Sequence, residues 1–297
     1  MNKDNTKIYN IRIDSSKANA NVLYEILSVV EYDIFYSEDE DTDTAVVETF
    51  TYDMKESIVI REKFIEILKL SGCFDPIPEV NVIEKYNKNW QEAWKEFFHT
   101  ERVSKRIVIK PSWEDYIAQS KDVVIDIDPG MSFGTGNHPT TRICLDMMDD
   151  LNASGLVGSF LDIGSGSGIL SIAAVKLGFT NVTAYDHEEE SVAIAKDNFK
   201  RNGVDTNITV FKEDATKYVS KEKFDFVVAN MLAHIVIASS ESIVKNLKQS
   251  SASRLILSGC MNHQYDELCK VFARLGVMEM ENRTYDNWKS GVFKLSE

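Results

Sequence analysis

The sequence predicts an α/β protein in two parts: a doubly wound domain with a parallel sheet, preceded by a smaller α+β domain of ferredoxin-like order. Three observations carry this. At residues 160–168 two apolar residues run into Asp162, then Ile163 and a glycine–serine alternation, followed by the helix-like run 169–175. That is a buried strand, a tight turn and a helix start, in the order a doubly wound sheet uses at its first crossover. Residues 181–186 read as the next strand and close on Asp186. Residues 8–83 read as strand, helix, two strands, helix and strand, which is the ferredoxin-like order.

The first domain follows from periodicity. From Ile8 to Asp14 the chain alternates, with Tyr9, Ile11 and Ile13 expected on the buried face and Asn10, Arg12 and Asp14 on the solvated one. Ser15 and Ser16 offer caps for a helix over about 17–30, whose stripe is Val22, Leu23, Ile26, Leu27 and Val30. Residues 34–36 and 45–51 read as strands joined by the acidic turn 38–43. A second helix is expected over about 56–70, with Ile60, Phe64, Ile67 and Leu68 inward and Gly72 closing it. Residues 80–83 supply the last strand. Residues 1–80 hold 17 acids and 8 bases, a net −9, so this domain carries most of the chain's acidity.

Trp90, Trp94 and Phe97/Phe98 then fall at helical spacing and predict a helix between the domains. Strands are expected at 106–110 and 123–127. The stretch 128–141 combines three glycines, two prolines and several hydroxyls, the mark of an ordered loop with special backbone geometry. Pro139 and the following threonines are expected to start a helix over 141–151. The expected boundaries are 1–85 for the first domain, 86–125 for the interdomain helix and connecting strands, and 126–297 for the doubly wound domain.

Composition excludes several classes. At 297 residues the chain can support two cores, and 43% hydrophobic with 27% charged is a globular balance. No apolar run approaches the ~18 residues of a membrane helix. Residues 1–5 lack the apolar segment of a signal peptide, so no membrane association is expected. Cys73, Cys144, Cys260 and Cys269 are scattered, and neither they nor the five histidines fall at metal-ligand spacing. The expectation is a cytoplasmic protein with reduced cysteines and no metal. A net charge of −14 argues against direct nucleic-acid binding and favours a basic partner.

The glycine loop narrows the ligand. A dinucleotide fingerprint needs glycine at its first, third and sixth positions, and the sixth here is Ile169. The pattern Asp-x-Gly-x-Gly-x-Gly resembles instead the cofactor loop of S-adenosylmethionine-dependent methyltransferases. The amino-acid end of that cofactor presents an ammonium, which suits Asp162, and a carboxylate, which suits free N–H groups around Gly164 and Gly166. Asp186, roughly twenty residues on, can accept both ribose hydroxyls. The bland alternative is a glycine-rich turn with no ligand.

Five motifs in order narrow the resemblance further. They are Trp90-x-x-x-Trp94-Lys95, then residues 106–113, the loop from Asp128 through Phe133-Gly134-Thr135-Gly136-x-His138-Pro139-Thr140-Thr141, the glycine loop, and Ala229-Asn230-Met231-Leu232-Ala233. From about Trp90 to the C-terminus the chain resembles the bacterial ribosomal protein L11 methyltransferase family. Asn137, Ser165 and His187 depart from the usual family residues. The resemblance implies a Rossmann-like class I methyltransferase domain, with Thr141, Gly164, Asp186 and Asn230 lining the cofactor site and Phe133 near the adenine. Asn230 ends the strand 226–229 at the carboxyl edge where open α/β sheets bind ligands. Asp214, after another strand, could accept from the adenine amino group.

The implied reaction is methylation of ribosomal protein L11, at lysine side chains and the N-terminal amine, by a monomeric enzyme. A methylase of another basic protein and an inactive ribosome-assembly factor on the same fold are the alternatives. Methyl transfer needs a neutral amine. At pH 7 that costs roughly 4–5 kcal/mol for a free lysine and about 1 kcal/mol for an α-amine. Asn230 is expected to orient that amine through its side-chain carbonyl, with no residue assigned as general base.

Overall fold

The computed structural model describes residues 7–27, 32, 34–39, 42–86, 98–128, 136 and 138–296. The chain divides into two compact units, Met1–Phe97 and Phe98–Glu297. The predicted Trp90/Trp94 helix, most of the loop 129–137 and the tip of the acidic turn lie outside the described residues.

The first unit contains β1 (Lys7–Ser16), α1 (Lys17–Leu27), β2 (Phe35–Glu38), β3 (Thr44–Thr51), α2 (Met54–Ser71) and β4 (Asn81–Tyr86). Its sheet is antiparallel in the order β2-β3-β1-β4, the ferredoxin-like arrangement. Ile11, Ile13, Leu23, Val47, Ile60 and Phe64 are fully buried between the helices and the sheet. Three local expectations are corrected, the first being Val22, which the stripe of α1 included and which is 37% exposed. Asn10, assigned to the solvated face of β1, is buried and donates to Glu48 Oε2 at 2.8 Å, a paired polar contact inside the sheet. Helix α2 starts earlier than its apolar stripe suggests, because Asp53 caps it by accepting from Lys55 N at 2.6 Å and Glu56 N at 3.1 Å. Gly72, at φ +63°, ends it in the left-handed conformation.

The second unit opens with a three-stranded sheet, β5 (Glu101–Arg102), β6 (Ile107–Lys110) and β7 (Val123–Asp126). Then come α3 (Pro139–Ala153), β8 (Ser159–Ile163), α4 (Ile169–Lys176), β9 (Thr180–Asp186), α5 (Glu189–Arg201), β10 (Ile208–Lys212) and β11 (Phe226–Asn230). The chain finishes with α6 (Ala233–Ala238), α7 (Ser240–Asn246), β12 (Arg254–Met261), α8 (Asn262–Arg274), β13 (Val277–Tyr285) and β14 (Trp288–Leu295). Seven strands form one sheet in the order β10-β9-β8-β11-β12-β14-β13. The first five are parallel, and β14 inserts antiparallel between β12 and β13.

Strands β8 and β11 are buried along their whole length, as continuous apolar runs in a sheet covered on both faces should be. Phe160, Ile172 and Val228 belong to the core on one face; Leu161, Val227 and Phe272 belong to the core on the other. The order reverses between β8 and β11, because β9 and β10 extend one way and β11 and β12 the other. At such a reversal open α/β sheets bind ligands, in the crevice outside the carboxyl ends of the strands, here those of β8 and β11.

Candidate functional site

The loop leaving β8 lies at that crevice. Gly164, Gly166 and Gly168 all have positive φ, at 70°, 50° and 78°. The sequence suggested that this turn offers free amides, and the structure corrects this for four of them. Gly164 N and Ser165 N each donate to the Tyr185 carbonyl at 3.0 Å, and Gly168 N donates to Ser165 O at 2.8 Å. Gly166 N donates to Asp186 Oδ2 at 2.8 Å. Pairing to β9 therefore sets the shape of the loop in advance. A Cβ at Gly164 would also lie 2.6 Å from Cγ and Sδ of Met231, the residue after Asn230, so the flexible Met231 side chain would have to shift.

The acids differ in what already holds them. Asp162 is 1% exposed and accepts from Ser171 Oγ at 2.7 Å. Burial pushes its carboxyl up to about 7, and the charge of Asp186 adds to this against the Ser171 hydroxyl. Asp186 uses one oxygen on Gly166 and the other on Glu188 N, at 3.0 Å. His187 Nδ1 also lies 3.5 Å from Oδ1, so at most two of a carboxylate's about four acceptor positions remain. Asp214 is largely engaged by its own turn: Oδ1 accepts from Thr216 N at 2.9 Å and Thr216 Oγ1 at 2.7 Å, and Oδ2 pairs with Lys217 Nζ at 2.7 Å. Those partners hold its carboxyl well below the usual range.

Helix α3 brings the remaining groups. It begins at Pro139, two residues ahead of expectation, with His138 as its cap. His138 Nδ1 accepts from Thr140 N at 3.3 Å and lies 2.7 Å from Thr140 Oγ1. Desolvation lowers the His138 pKa to about 4, so the ring is neutral at pH 7 and Nδ1 can accept. The Trp288 ring packs edge-on against it at 4.9 Å. Thr141, 1% exposed, accepts from Asn230 Nδ2 at 3.4 Å. Asn230 is 9% exposed, and its Oδ1 is buried with no partner among the described residues. Ser165 Oγ, in the glycine loop, is in the same condition.

The structure thus brings Thr141, Asp162, Gly164, Gly166, Asp186 and Asn230 to the loops at one end of the sheet, directly or through shared partners. Phe133 lies outside the described residues. Ser171, Ser258 and Trp288 join this neighbourhood without having been singled out from the sequence, as does Met231, which the sequence marked only as part of its motif. The readable signal beside His138 was Pro139, which suits the first helical position; an imidazole is not one of the usual cap side chains. An open cleft of about 900 Å³ lies elsewhere, at the amino ends of the strands, lined by Ser159, Thr183, Phe211, Tyr218 and Lys248 among others. Its Lys248 is paired with Asp225 at 2.7 Å, and none of the groups above lines it.

Comparisons with known proteins converge. The family model for ribosomal protein L11 methyltransferase (PrmA) matches residues 6–295. A ribosomal protein L11 methyltransferase of Caldanaerobacter subterraneus is 34% identical over 254 residues, covering 84% of this chain and 80% of that one. The corresponding protein of Syntrophomonas wolfei is 40% identical over 204 residues, covering 65% of this chain and 66% of its own. Among solved structures, a ribosomal protein L11 methylase from Lactobacillus delbrueckii subsp. bulgaricus aligns with a TM-score of 0.61 at 30% identity. That alignment covers 67% of this chain and 100% of the other.

Proposed function

We propose a function from one premise: the chain belongs to the ribosomal protein L11 methyltransferase family. It is an S-adenosylmethionine-dependent methyltransferase acting on that ribosomal protein, and the acceptors are amines, namely lysine side chains and the N-terminal amine. The observation that carries the amine reading is Asn230 Oδ1, a buried acceptor with no donor among the described residues. Leaving such a group unpaired costs about 1–3 kcal/mol, so it suits an N–H brought by a ligand.

S-adenosylmethionine, when bound, would supply a sulfonium methyl group that a neutral amine can take by direct displacement, the C–S bond breaking to leave S-adenosylhomocysteine and the methylated ammonium losing its proton to solvent. The residues of this chain suit that cofactor. Asp186 has acceptor capacity left for the ribose, Ser165 Oγ is a buried hydroxyl with no partner among the described residues, and Gly164 and Gly166 remove side chains from the loop. Asp162 would face the ammonium, and Asp214 would be a weaker contact to the adenine because Thr216 and Lys217 compete for it. Asn230 would hold the acceptor amine through Oδ1 while Nδ2 anchors the amide plane on Thr141. Alignment of this kind can carry much of the rate without a dedicated base. The first unit, with its −9 charge, would capture the basic substrate.

Calorimetry with S-adenosylmethionine tests the cofactor half of this reading, and Asp162 gives it a pH signature. The folded carboxyl is raised from 3.8 to about 7. Its contribution to stability is therefore full below about pH 3.8 and is lost as pH climbs through about 7, a loss of a few kcal/mol at most. A cation beside Asp162 favours its ionised form, so cofactor affinity should rise between about pH 5.5 and about pH 7.5 with release of a proton. Asp162→Asn should flatten both profiles. A wild-type affinity that is flat with pH, or matched by Asp162→Asn, would take Asp162 out of the cofactor site.

A further inference from the structure

Two residues on β12 and one on β14 meet the acceptor side of the site from below. Ser258 is the in-register neighbour of Asn230 across the parallel pair β11–β12. Its Oγ donates to the Thr140 carbonyl, in the first turn of α3, at 3.3 Å. Ser258 Oγ also lies 2.7 Å from Ser290 Oγ on β14, and both residues are fully buried. Either hydroxyl of the serine pair can donate; when Ser290 donates to Ser258, the Ser258 proton is left for the Thr140 carbonyl, which can only accept, and the Cys144 thiol also contacts the Ser258 hydroxyl. The next residue, Gly259, has φ +79°, and a Cβ on it would lie 1.9 Å from the Met231 carbonyl oxygen. The backbone after Ser258 therefore rests on the backbone after Asn230.

We propose that Ser258 is a positioning residue for methyl transfer. Its hydroxyl, oriented by Ser290, ties the first turn of α3 to the sheet beside Asn230, so that Thr141 meets Asn230 Nδ2 and Oδ1 is aimed at the acceptor amine. The inference rests on the reading of Asn230 given above. Adjacent strand positions thus hold adjacent helix positions: Ser258 holds Thr140, and Asn230 holds Thr141. Without the Ser258 bond the turn keeps its helical hydrogen bonds but loses its fixed height above the strand ends.

The test is single-turnover methylation of purified L11 by excess enzyme, with cofactor affinity measured in parallel. Ser258→Ala should bind S-adenosylmethionine within about twofold of wild type and methylate on the order of 10- to 100-fold more slowly, the scale of a small misplacement. The KM for L11 should move far less than kcat. Ser258→Thr, which keeps the hydroxyl, should recover most of the loss. If Ser258 acts through Asn230, the double variant should be no slower than Asn230→Ala alone, within about twofold. A Ser258→Ala rate equal to wild type, or losses that multiply in the double variant, would overturn the proposal. Should Ser258→Ala fail to fold, Ser290→Ala serves in its place, with a smaller slowing expected and an unchanged rate again contrary. Asn230→Ala at wild-type speed would instead sink the reading of Asn230 itself.

Discussion

Asp186→Ala is expected to weaken S-adenosylmethionine binding by roughly 3–6 kcal/mol, since two charged hydrogen bonds to the ribose would be lost at about 1.5–3 kcal/mol each. The structure adds a second consequence. Asp186 also holds Gly166 N at 2.8 Å and Glu188 N at 3.0 Å, so the alanine variant strips a partner from the glycine loop and from the start of α5. Its melting temperature should fall as well. Asp186→Asn separates the two effects, because its amide oxygen can still accept from one of those N–H groups while the charge is gone. Calorimetry should therefore show strongly reduced affinity for both variants, with the greater thermal loss in Asp186→Ala. Affinity equal to wild type in Asp186→Asn would remove the charged ribose contact.

Deleting residues 1–85 is expected to leave cofactor affinity within about twofold of wild type and to reduce methylation of intact L11 by more than about 100-fold, the entropic advantage of a docked over a freely diffusing acceptor. The first unit has its own core around Ile11, Ile13, Ile60 and Phe64, and the glycine loop, Asp186 and Asn230 all belong to the second. Charge neutralisation in the turn 38–43 should cost much less than the deletion and should matter chiefly at low salt, because surface charge mainly accelerates encounter and is screened. A truncated enzyme that methylates L11 at a comparable rate would place recognition in the second unit.

The parts of the fold that could be read from the sequence are those in which local pattern and tertiary role coincide. The run into Asp162 is apolar because β8 is covered on both faces, and the glycines mark backbone that must take positive φ. The α2 stripe marked its helix, but its start depended on a side-chain cap at Asp53, a signal shorter than the apolar period. Asn10 was misplaced because alternation assigns every polar residue to solvent, whereas a polar side chain with a partner such as Glu48 can be buried. Three of the four loop amides were read as free because their partners, Tyr185 and Asp186, lie about twenty residues away across a strand pairing, while the fourth, Gly168 N, pairs within the turn to Ser165 O. Ser258 and Ser290 gave no local sign. Their contacts join positions 118 and 32 residues apart, and isolated serines carry no period.

The most direct test of the account is the mass of ribosomal protein L11 after incubation with the full-length chain and S-adenosylmethionine. The account predicts mass gains in steps of one methyl group, located by peptide fragmentation on lysine side chains and the N-terminal amine, and absent when the cofactor is omitted. Methyl groups on other side chains would contradict the amine chemistry assigned to Asn230, and an L11 mass that does not change while the chain binds the cofactor would contradict the assigned function.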